Sequence, residues 1–243
     1  STKYLNSTLI EKYIEILPKL TIEHKKYLCL IISRNPVLTI DMLSAYPDFQ
    51  WDFSGVSENM NINDILDHPE LKWDWDYISL NLSVTMDIVL SNIDKPWDWS
   101  YLGRHPNITM SDIESHMYLP WDWSTYGVSE NPNLTMTMIE ADLDKGWCFY
   151  CISKHIQLTV DLLRQYTNKP WNFNVMSRCN PSITLELLLA TPDIPWNYDR
   201  LSSNKCWTMD MVLTFPDKNW NWVEISRNKA ITMSDIESHM DLP

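Results

Sequence analysis

The chain has 243 residues, a formal charge of −13 and 44% hydrophobic residues, enough for a sizeable folded core. It contains 13 tryptophans and only four glycines, and so little glycine excludes most phosphate-binding loops and collagen-like or turn-rich all-β sequence. The acidic balance argues against an overall basic nucleic-acid binder, and no run of about 20 apolar residues is present to span a membrane.

The N-terminal segment differs from the rest of the chain. Residues 4–17 predict a helix closed by Pro18. Its polar and apolar residues are arranged as in a capping element, so we assign residues 1–26 to an N-terminal helical cap. The segment lacks the charged-then-apolar layout of a secretory signal, which predicts a cytoplasmic protein.

The tryptophans recur with a period of about 24 residues. Eight aromatic-x-aromatic anchors follow one another, and their first tryptophans are 22 to 26 residues apart. We interpret these first tryptophans as structural anchors of a repeated core: Trp51, Trp73, Trp97, Trp121, Trp147, Trp171, Trp196 and Trp220. Because a strictly periodic aromatic is what a stacked core requires, core packing is favoured over the alternative, a stacking platform for bases or sugars.

A second series runs about 12 residues out of phase with the tryptophans. It consists of Thr39, Asn63, Thr85, Thr109, Thr135, Thr159, Thr184, Thr208 and Thr232. Thr is a good helix N-cap, and an apolar stretch follows it, so the first half-unit is predicted to be a short α-helix. The middle residue of the aromatic anchor is usually Asp or Asn, which predicts a second helix of one or two turns, partly 3₁₀.

These patterns predict an all-α protein. Residues 27–243 are expected to form one elongated domain, an α-solenoid of about nine 24-residue repeats, each with a short α-helix and a short α or 3₁₀ helix. Residues 108–120 and 231–243 differ only at Tyr118 and Asp241. The last repeat shows no capping element, which predicts an exposed apolar end and self-association through it.

The repeat resembles two known families. The segment from Ser129 to Met136 is similar to the leucine-rich-variant repeat, whose unit has the same length and pairs an α-helix with a 3₁₀-helix in a right-handed superhelix. The chain departs from that family by placing Trp-Asp-Trp where the family has small and aliphatic residues. Over residues 27–243, the array also resembles the tryptophan-containing (WDW) repeat proteins of giant DNA viruses of amoebae. This likeness implies a host-cell cytoplasmic or virion location, and neither family supplies catalytic residues.

Catalytic and metal-binding patterns are weak. The chain has five cysteines, an odd number that favours a reducing compartment. Cys148 and Cys151 have CxxC spacing, but no second pair completes a zinc site, so we interpret them as incidental, with a metal or redox role as the alternative. The histidines form no HExxH or triad pattern. We therefore predict no catalytic residues, metal or cofactor, and hence no enzyme.

Two sets of side chains are candidate contacts for a partner. The residue after the repeat serine, or after its equivalent glycine, is basic in five units; this basic row is Arg34, Arg104, Lys154, Arg178 and Arg227. Four further candidates beside the anchors are non-periodic: Tyr77, Tyr101, Tyr150 and Arg200. The expected function is a non-enzymatic protein-binding or scaffolding module. Nucleic-acid binding through the basic row and a self-assembling structural or virion protein are the alternatives.

Overall fold

A computed structural model describes residues 6–142, 144–228, 231–232 and 237–238. The regular secondary structure of these residues consists of helices, without a β-strand, which confirms the predicted all-α class. The α-helices are α1 (Ser7–Ile16), α2 (Ile22–Ser33), α3 (Ile40–Ala45), α4 (Phe53–Asn59), α5 (Ile62–Asp67), α6 (Trp75–Ile78), α7 (Met86–Ser91), α8 (Trp99–Gly103), α9 (Met110–Ser115), α10 (Met136–Ala141), α11 (Phe149–His155), α12 (Val160–Gln165), α13 (Phe173–Cys179), α14 (Leu185–Ala190), α15 (Tyr198–Leu201), α16 (Met209–Thr214) and α17 (Trp222–Ser226). Two 3₁₀ helices span Leu17–Lys19 and Val128–Glu130.

The chain divides into two compact units, Ser1–Asp122 and Trp123–Pro243. The first contains α1 to α9 and the second α10 to α17. The N-terminal helix α1 starts after Asn6, whose side chain accepts a hydrogen bond from the Leu9 backbone N–H. The predicted cap boundary at residue 26 lies inside α2, which is continuous to Ser33. Among the described helices, none is long and apolar enough to cross a bilayer.

The helix of the first half-unit is six residues long in every repeat from α3 to α16. The periodic threonine is its N-cap, as predicted, and the hydroxyl oxygens of Thr39, Thr109, Thr159 and Thr184 accept a backbone N–H three residues on. Thr109 and Asp112 also form a reciprocal capping box. In these four helices the N-cap side chain therefore helps to set where the helix begins, whereas Thr85, Thr135 and Thr208 hold the N-cap position without a side-chain hydrogen bond.

The assignment of Asn63 to this periodic series is wrong. The N-cap of α5 is Asn61, and its side-chain oxygen accepts the Asn63 N–H at 2.9 Å. From Asn61 to Trp73 there are 12 residues, as between cap and tryptophan in the other repeats. The shortened connection therefore lies before α5, between Trp51 and Asn61. The spacing from the N-cap of the six-residue helix to the next anchor tryptophan is the same in all repeats.

The helix of the second half-unit is four to seven residues long and starts directly after the middle residue of the anchor, which is its N-cap. The side chains of Asp74, Asp98, Asn172, Asn197 and Asn221 accept backbone N–H groups of the first turn. After Trp121 the α-helix is replaced by turns and the 3₁₀ helix Val128–Glu130. Among the described second half-units, this is the one that forms the predicted 3₁₀ helix, and it is also the repeat with a two-residue insertion.

The apolar residue before the repeat serine is the centre of the core. It is at most 2% exposed in every repeat, at Ile32, Val56, Ile78, Leu102, Val128, Ile152, Met176, Leu201 and Ile225. Within the first unit α2 packs on α4 and α4 on α6, and within the second α11 packs on α13 and α13 on α15. Short helices are marginal alone, so this packing between neighbouring repeats stabilises them.

In the repeat of α8 Gly103 replaces the serine; in seven others the serine hydroxyl joins the repeat to the next. Its oxygen accepts the backbone N–H of the next anchor at 2.9–3.0 Å. The pairs are Ser33 with Asp52, Ser57 with Asp74, Ser79 with Asp98, Ser129 with Cys148, Ser153 with Asn172, Ser177 with Asn197 and Ser202 with Asn221. A buried hydroxyl at this place satisfies a backbone donor that the short helix leaves unpaired.

A turn asparagine adds a second link between neighbouring repeats. Asn180 donates from Nδ2 to the carbonyls of Ser153 and Ile156, at 3.1 and 3.0 Å, and Asn204 repeats this with Ser177 and Asn180. The Oδ1 atom of Asn180 accepts the Ser182 N–H and fixes the turn. One buried amide therefore satisfies three backbone groups.

The scarcity of glycine follows from these turns. None of the described residues has a positive φ, so the connections do not require the conformation that glycine alone adopts easily. Gly55 is needed for a different reason, since a Cβ there would lie 2.4 Å from Cγ of Arg34. Close approach of α4 to the C-terminal end of α2 therefore explains this glycine.

We expect Asn180→Ala to lower the free energy of unfolding by about 3 kcal/mol, because buried carbonyls and an N–H lose their partner together. The matched control is Asn168→Ala, since Asn168 is exposed in a neighbouring turn. Urea denaturation monitored by tryptophan fluorescence measures both changes. An equal effect of the two substitutions would contradict this role of the asparagine.

Candidate functional site

The indole N–H of each anchor tryptophan is used inside its own repeat. Nε1 donates to the backbone carbonyl five residues earlier, at 2.7–3.1 Å, at Trp51, Trp73, Trp97, Trp121, Trp147, Trp171 and Trp220. At Trp196 the acceptor is instead the Thr191 hydroxyl, at 3.1 Å. Each hydrogen bond ties the tryptophan to the end of the preceding six-residue helix.

The rings of successive anchors pack edge to face. The second aromatic of one anchor meets the first tryptophan of the next with centroids 5.0–6.3 Å apart and planes at 77–89°. In the first unit the pairs are Phe53–Trp73, Trp75–Trp97 and Trp99–Trp121; in the second they are Trp123–Trp147, Phe149–Trp171, Phe173–Trp196 and Tyr198–Trp220. Rings held in these contacts with the neighbouring repeat are less available for stacking on a base or sugar, so the contacts favour the core interpretation.

Trp207 is the tryptophan outside the anchors, and its environment is different. It is 2% exposed, and its Nε1 has no hydrogen-bond partner among the described residues. It lies in the position that is apolar in other repeats, such as Ile108 and Ile183. The indole therefore fills volume without using its donor.

Most cations of the basic row lie close to carboxylates. Arg34 is 3.9 Å from Asp52, Lys154 is 3.0 Å from Glu130 and Arg227 is 3.3 Å from Glu224. Cζ of Arg104 lies 4.7 Å from the centroid of the Tyr101 ring, and Arg178 is exposed. These carboxylates compete with a phosphate for the cations, so the local electrostatics do not favour a nucleic-acid interface.

The predicted contact residues lie in both compact units. Arg34, Arg104, Tyr77 and Tyr101 belong to the first, and Lys154, Arg178, Arg227, Tyr150 and Arg200 to the second. Four of the predicted residues lie together in two pairs, Tyr101 with Arg104 and Tyr150 with Lys154. In the second pair, Nζ of Lys154 is 5.1 Å from the centroid of the Tyr150 ring. Tyr77 is half-buried, and the exposed Arg200 is 3.9 Å from Asp199.

Sequence reasoning missed two more exposed tyrosines, Tyr118 and Tyr126. They are 76% and 66% exposed. Both had a signal in the sequence. Tyr118 is the one residue that differs between the two nearly identical segments, and Tyr126 lies in the longest tryptophan-to-threonine connection. Departures from the repeat therefore mark the positions of these two exposed tyrosines.

In the second unit, the contacting side chains of Tyr150, Lys154 and Glu130 lie near the backbone that precedes Tyr126. Tyr126 follows Thr125, whose carbonyl oxygen is 3.2 Å from the Cys151 sulfur. Tyr150 precedes Cys151 and is 50% exposed, with Lys154 over its ring. Glu130 holds the lysine through the ion pair described above. We call Tyr126, Glu130, Tyr150 and Lys154 the tyrosine cluster.

Two further predictions concern metal binding and self-association. Within the part of the chain that the structure describes, no group of three or more His, Cys, Asp or Glu side chains is arranged to hold a metal ion. Most of the last repeat, on which self-association was predicted, lies outside the described residues. Self-association through the last repeat therefore stays a prediction.

His105 takes the place of the turn asparagine and is buried. Its Nε2 is 3.1 Å from the Asn81 carbonyl, and its Nδ1 accepts the Asn107 N–H at 3.1 Å, which defines a neutral ring protonated on Nε2. Burial lowers the pKa of His105 below its ordinary 6.5, and the hydrogen bond to Asn81 opposes this only in part. The histidine therefore serves as a neutral link between repeats.

In comparisons with known proteins, no family model, no curated protein and no solved structure matches the chain. The two family resemblances of the repeat therefore stay predictions.

We expect Trp171→Phe to destabilise the protein by about 1–2 kcal/mol more than Trp207→Phe. Both substitutions remove the same volume, but only the first leaves a carbonyl, that of Tyr166, without its indole donor. Urea denaturation of both variants gives the two free energies. A larger loss for Trp207→Phe would show that cavity formation outweighs the hydrogen bond.

We expect His105 to make the protein less stable as the pH falls below about 6.5. Its folded-state pKa is lowered, so the unfolded chain binds the proton first, and the stability present above 6.5 is lost on acidification. In His105→Asn, which restores the residue found at Asn81 and Asn180, stability should fall less between pH 7 and pH 5. Parallel curves of unfolding free energy against pH for the two proteins would refute this.

Proposed function

We propose that the chain is a non-enzymatic helical-repeat protein, stacked as an α-solenoid, that binds a protein partner. Neighbouring repeats supply the support for stacking, since their serines, asparagines and aromatic rings bond residues about one repeat apart within each compact unit. Solenoids present extended surfaces on which variable residues select a partner. The Trp-Asp-Trp array supports a common origin with the tryptophan-containing repeat proteins of giant DNA viruses, and hence a host-cell cytoplasmic or virion location.

The tyrosine cluster of the second unit carries this proposal. Tyr126 and Tyr150 are 66% and 50% exposed. By contrast, the anchor aromatic next to Tyr150 in the sequence, Phe149, is packed against Trp171. Tyrosine is enriched in protein interfaces because a rigid ring buries a large area at little entropic cost, while its hydroxyl keeps a polar contact. Lys154, held by Glu130, lies over the Tyr150 ring and supplies a charge for orientation.

A protein partner fits this surface better than a nucleic acid. The lysine of the cluster already has a carboxylate at 3.0 Å, and the chain carries a formal charge of −13. A phosphate backbone would therefore meet repulsion at the cluster and over the chain as a whole. A protein surface with tyrosine-sized pockets and mixed charge is complementary to it.

We expect a double variant, Tyr126→Ala with Tyr150→Ala, to capture its partner at least about tenfold less than the wild type, because truncating a tyrosine that is a binding hot spot costs about 2 kcal/mol or more. Affinity purification from the source cells with quantitative mass spectrometry identifies the partner, and titration with that purified partner gives the affinities. The matched control is Tyr27→Ala, since Tyr27 is also 66% exposed but lies in the first unit.

Equal binding of the partner by the wild type, the double variant and the control would reject the tyrosine cluster as the interface. Capture that is abolished by nuclease treatment or falls steeply with salt would instead favour a nucleic acid.

A further inference from the structure

Two cysteines of the second unit lie in sulfur–sulfur contact. Cys148 is the N-cap of α11 and Cys151 belongs to its first turn, and their Sγ atoms are 3.3 Å apart. Each sulfur also contacts Thr125, Cys148 through the hydroxyl at 3.5 Å and Cys151 through the carbonyl oxygen at 3.2 Å. The two thiols are therefore held together by a residue from the preceding repeat.

The two sulfurs differ in accessibility and acidity. Cys148 is half-buried, whereas Cys151 is fully buried. Burial raises the pKa of Cys148, but hydrogen bonds from Thr125, Cys151 and the Tyr150 backbone outweigh it and lower the pKa overall. Burial, together with the adjacent Cys148 sulfur, raises the pKa of Cys151 to about 12. An attacking cysteine needs an accessible thiol with a lowered pKa, and a resolving cysteine can be a buried thiol with a raised pKa. Cys148 and Cys151 have this arrangement.

The other cysteines lack this arrangement. Cys29 is buried, Cys179 is exposed, and the Cys206 sulfur lies 2.9 Å from the Asn204 side-chain oxygen. Among the five cysteines, all of which the structure describes, sulfur–sulfur contact is confined to Cys148 and Cys151. Proximity, unequal burial and a shared threonine therefore distinguish this pair from incidental cysteines.

We propose that Cys148 and Cys151 are a redox-active dithiol that reduces small-molecule disulfides, with Cys148 as the attacking thiol and Cys151 as the resolving thiol. The proposal goes beyond the protein-binding function and does not depend on it.

The exchange proceeds in two balanced steps. The Cys148 thiolate attacks one sulfur of a disulfide RSSR, which forms a mixed disulfide on Cys148 and releases one RS⁻. Cys151 then loses its proton to solvent and attacks the Cys148 sulfur, which forms the Cys148–Cys151 disulfide and releases the second RS⁻. Both leaving thiolates take up protons, so two thiols are oxidised, one disulfide is reduced, and RSSR becomes two RSH.

The first step prepares the second. Burial, and then the hydrogen bond and charge of the adjacent Cys148, hold the pKa of Cys151 high. Formation of the mixed disulfide removes the Cys148 charge while burial remains, and Lys154 favours ionisation of Cys151 against the opposing charge of Glu130. Cys151 therefore ionises more easily once its target is in place.

The test uses the reduced full-length chain and oxidised glutathione at pH 7. We expect the wild type to lose two hydrogens without adding glutathione, and peptide mapping after alkylation to place the new disulfide between Cys148 and Cys151. In Cys151→Ala, glutathione should stay attached to Cys148, and the reaction there should be at least about tenfold faster than at Cys179. Cys148→Ala should form neither product, and Cys179→Ala, a matched control at an exposed cysteine, should behave as the wild type.

The proposal is overturned if Cys148 and Cys151 both remain open to alkylation after the wild type has reacted, or if glutathione accumulates mainly on Cys179. Circular dichroism checks the fold of each variant. Should Cys151→Ala fail to fold, the peptide map of the wild type decides by itself.

Discussion

A helix of six residues has too few turns to pair its first four backbone N–H groups and last four C=O groups internally, and the architecture follows from how these groups are satisfied. Threonine and asparagine caps take the N-terminal donors, and the tryptophan indole takes a carbonyl at the C-terminal end. The repeat serine and the turn asparagine then supply hydrogen bonds to the neighbouring repeat. Since half of this network is contributed by the next repeat, a single repeat is incomplete, and stability comes from repeats in contact.

The sequence was sufficient for the helical class, the repeat length and the capping residues, because all three depend on local chemistry that is repeated many times. It was insufficient where one repeat departs from the rest. Asn63 has the expected residue type, but its place in the helix depends on which connection lost two residues, and Asn61 satisfies the capping requirement equally well. The exposed Tyr126 depends on an insertion that replaces an α-helix by a 3₁₀ turn. The pairing of Lys154 with Glu130 depends on contacts between repeats, which no local pattern records.

The same network separates the structural side chains from those that are free to vary. The anchor tryptophans, the repeat serine and the turn asparagine have their polar groups bonded internally. Substitution there would therefore lower the stability of the fold, whether or not a partner is bound. Side chains such as Tyr126 and Tyr150 contribute little to this network and are exposed. Selection for binding can therefore act on them without loss of the fold, which is why a candidate interface is better sought among departures from the repeat than among its repeated positions.

The cysteine pair follows from the same capping geometry. In other repeats the side chain of the middle anchor residue reaches the backbone N–H three positions on, as Asn172 does at Val175 and Asp74 at Tyr77. Cys148 takes that capping position and Cys151 takes the third position, so the geometry that normally directs an oxygen to the first turn directs one sulfur to the other. The cap position thus turns two otherwise ordinary substitutions into a preformed dithiol, and the loss of a polar cap at α11 is the structural cost of that arrangement.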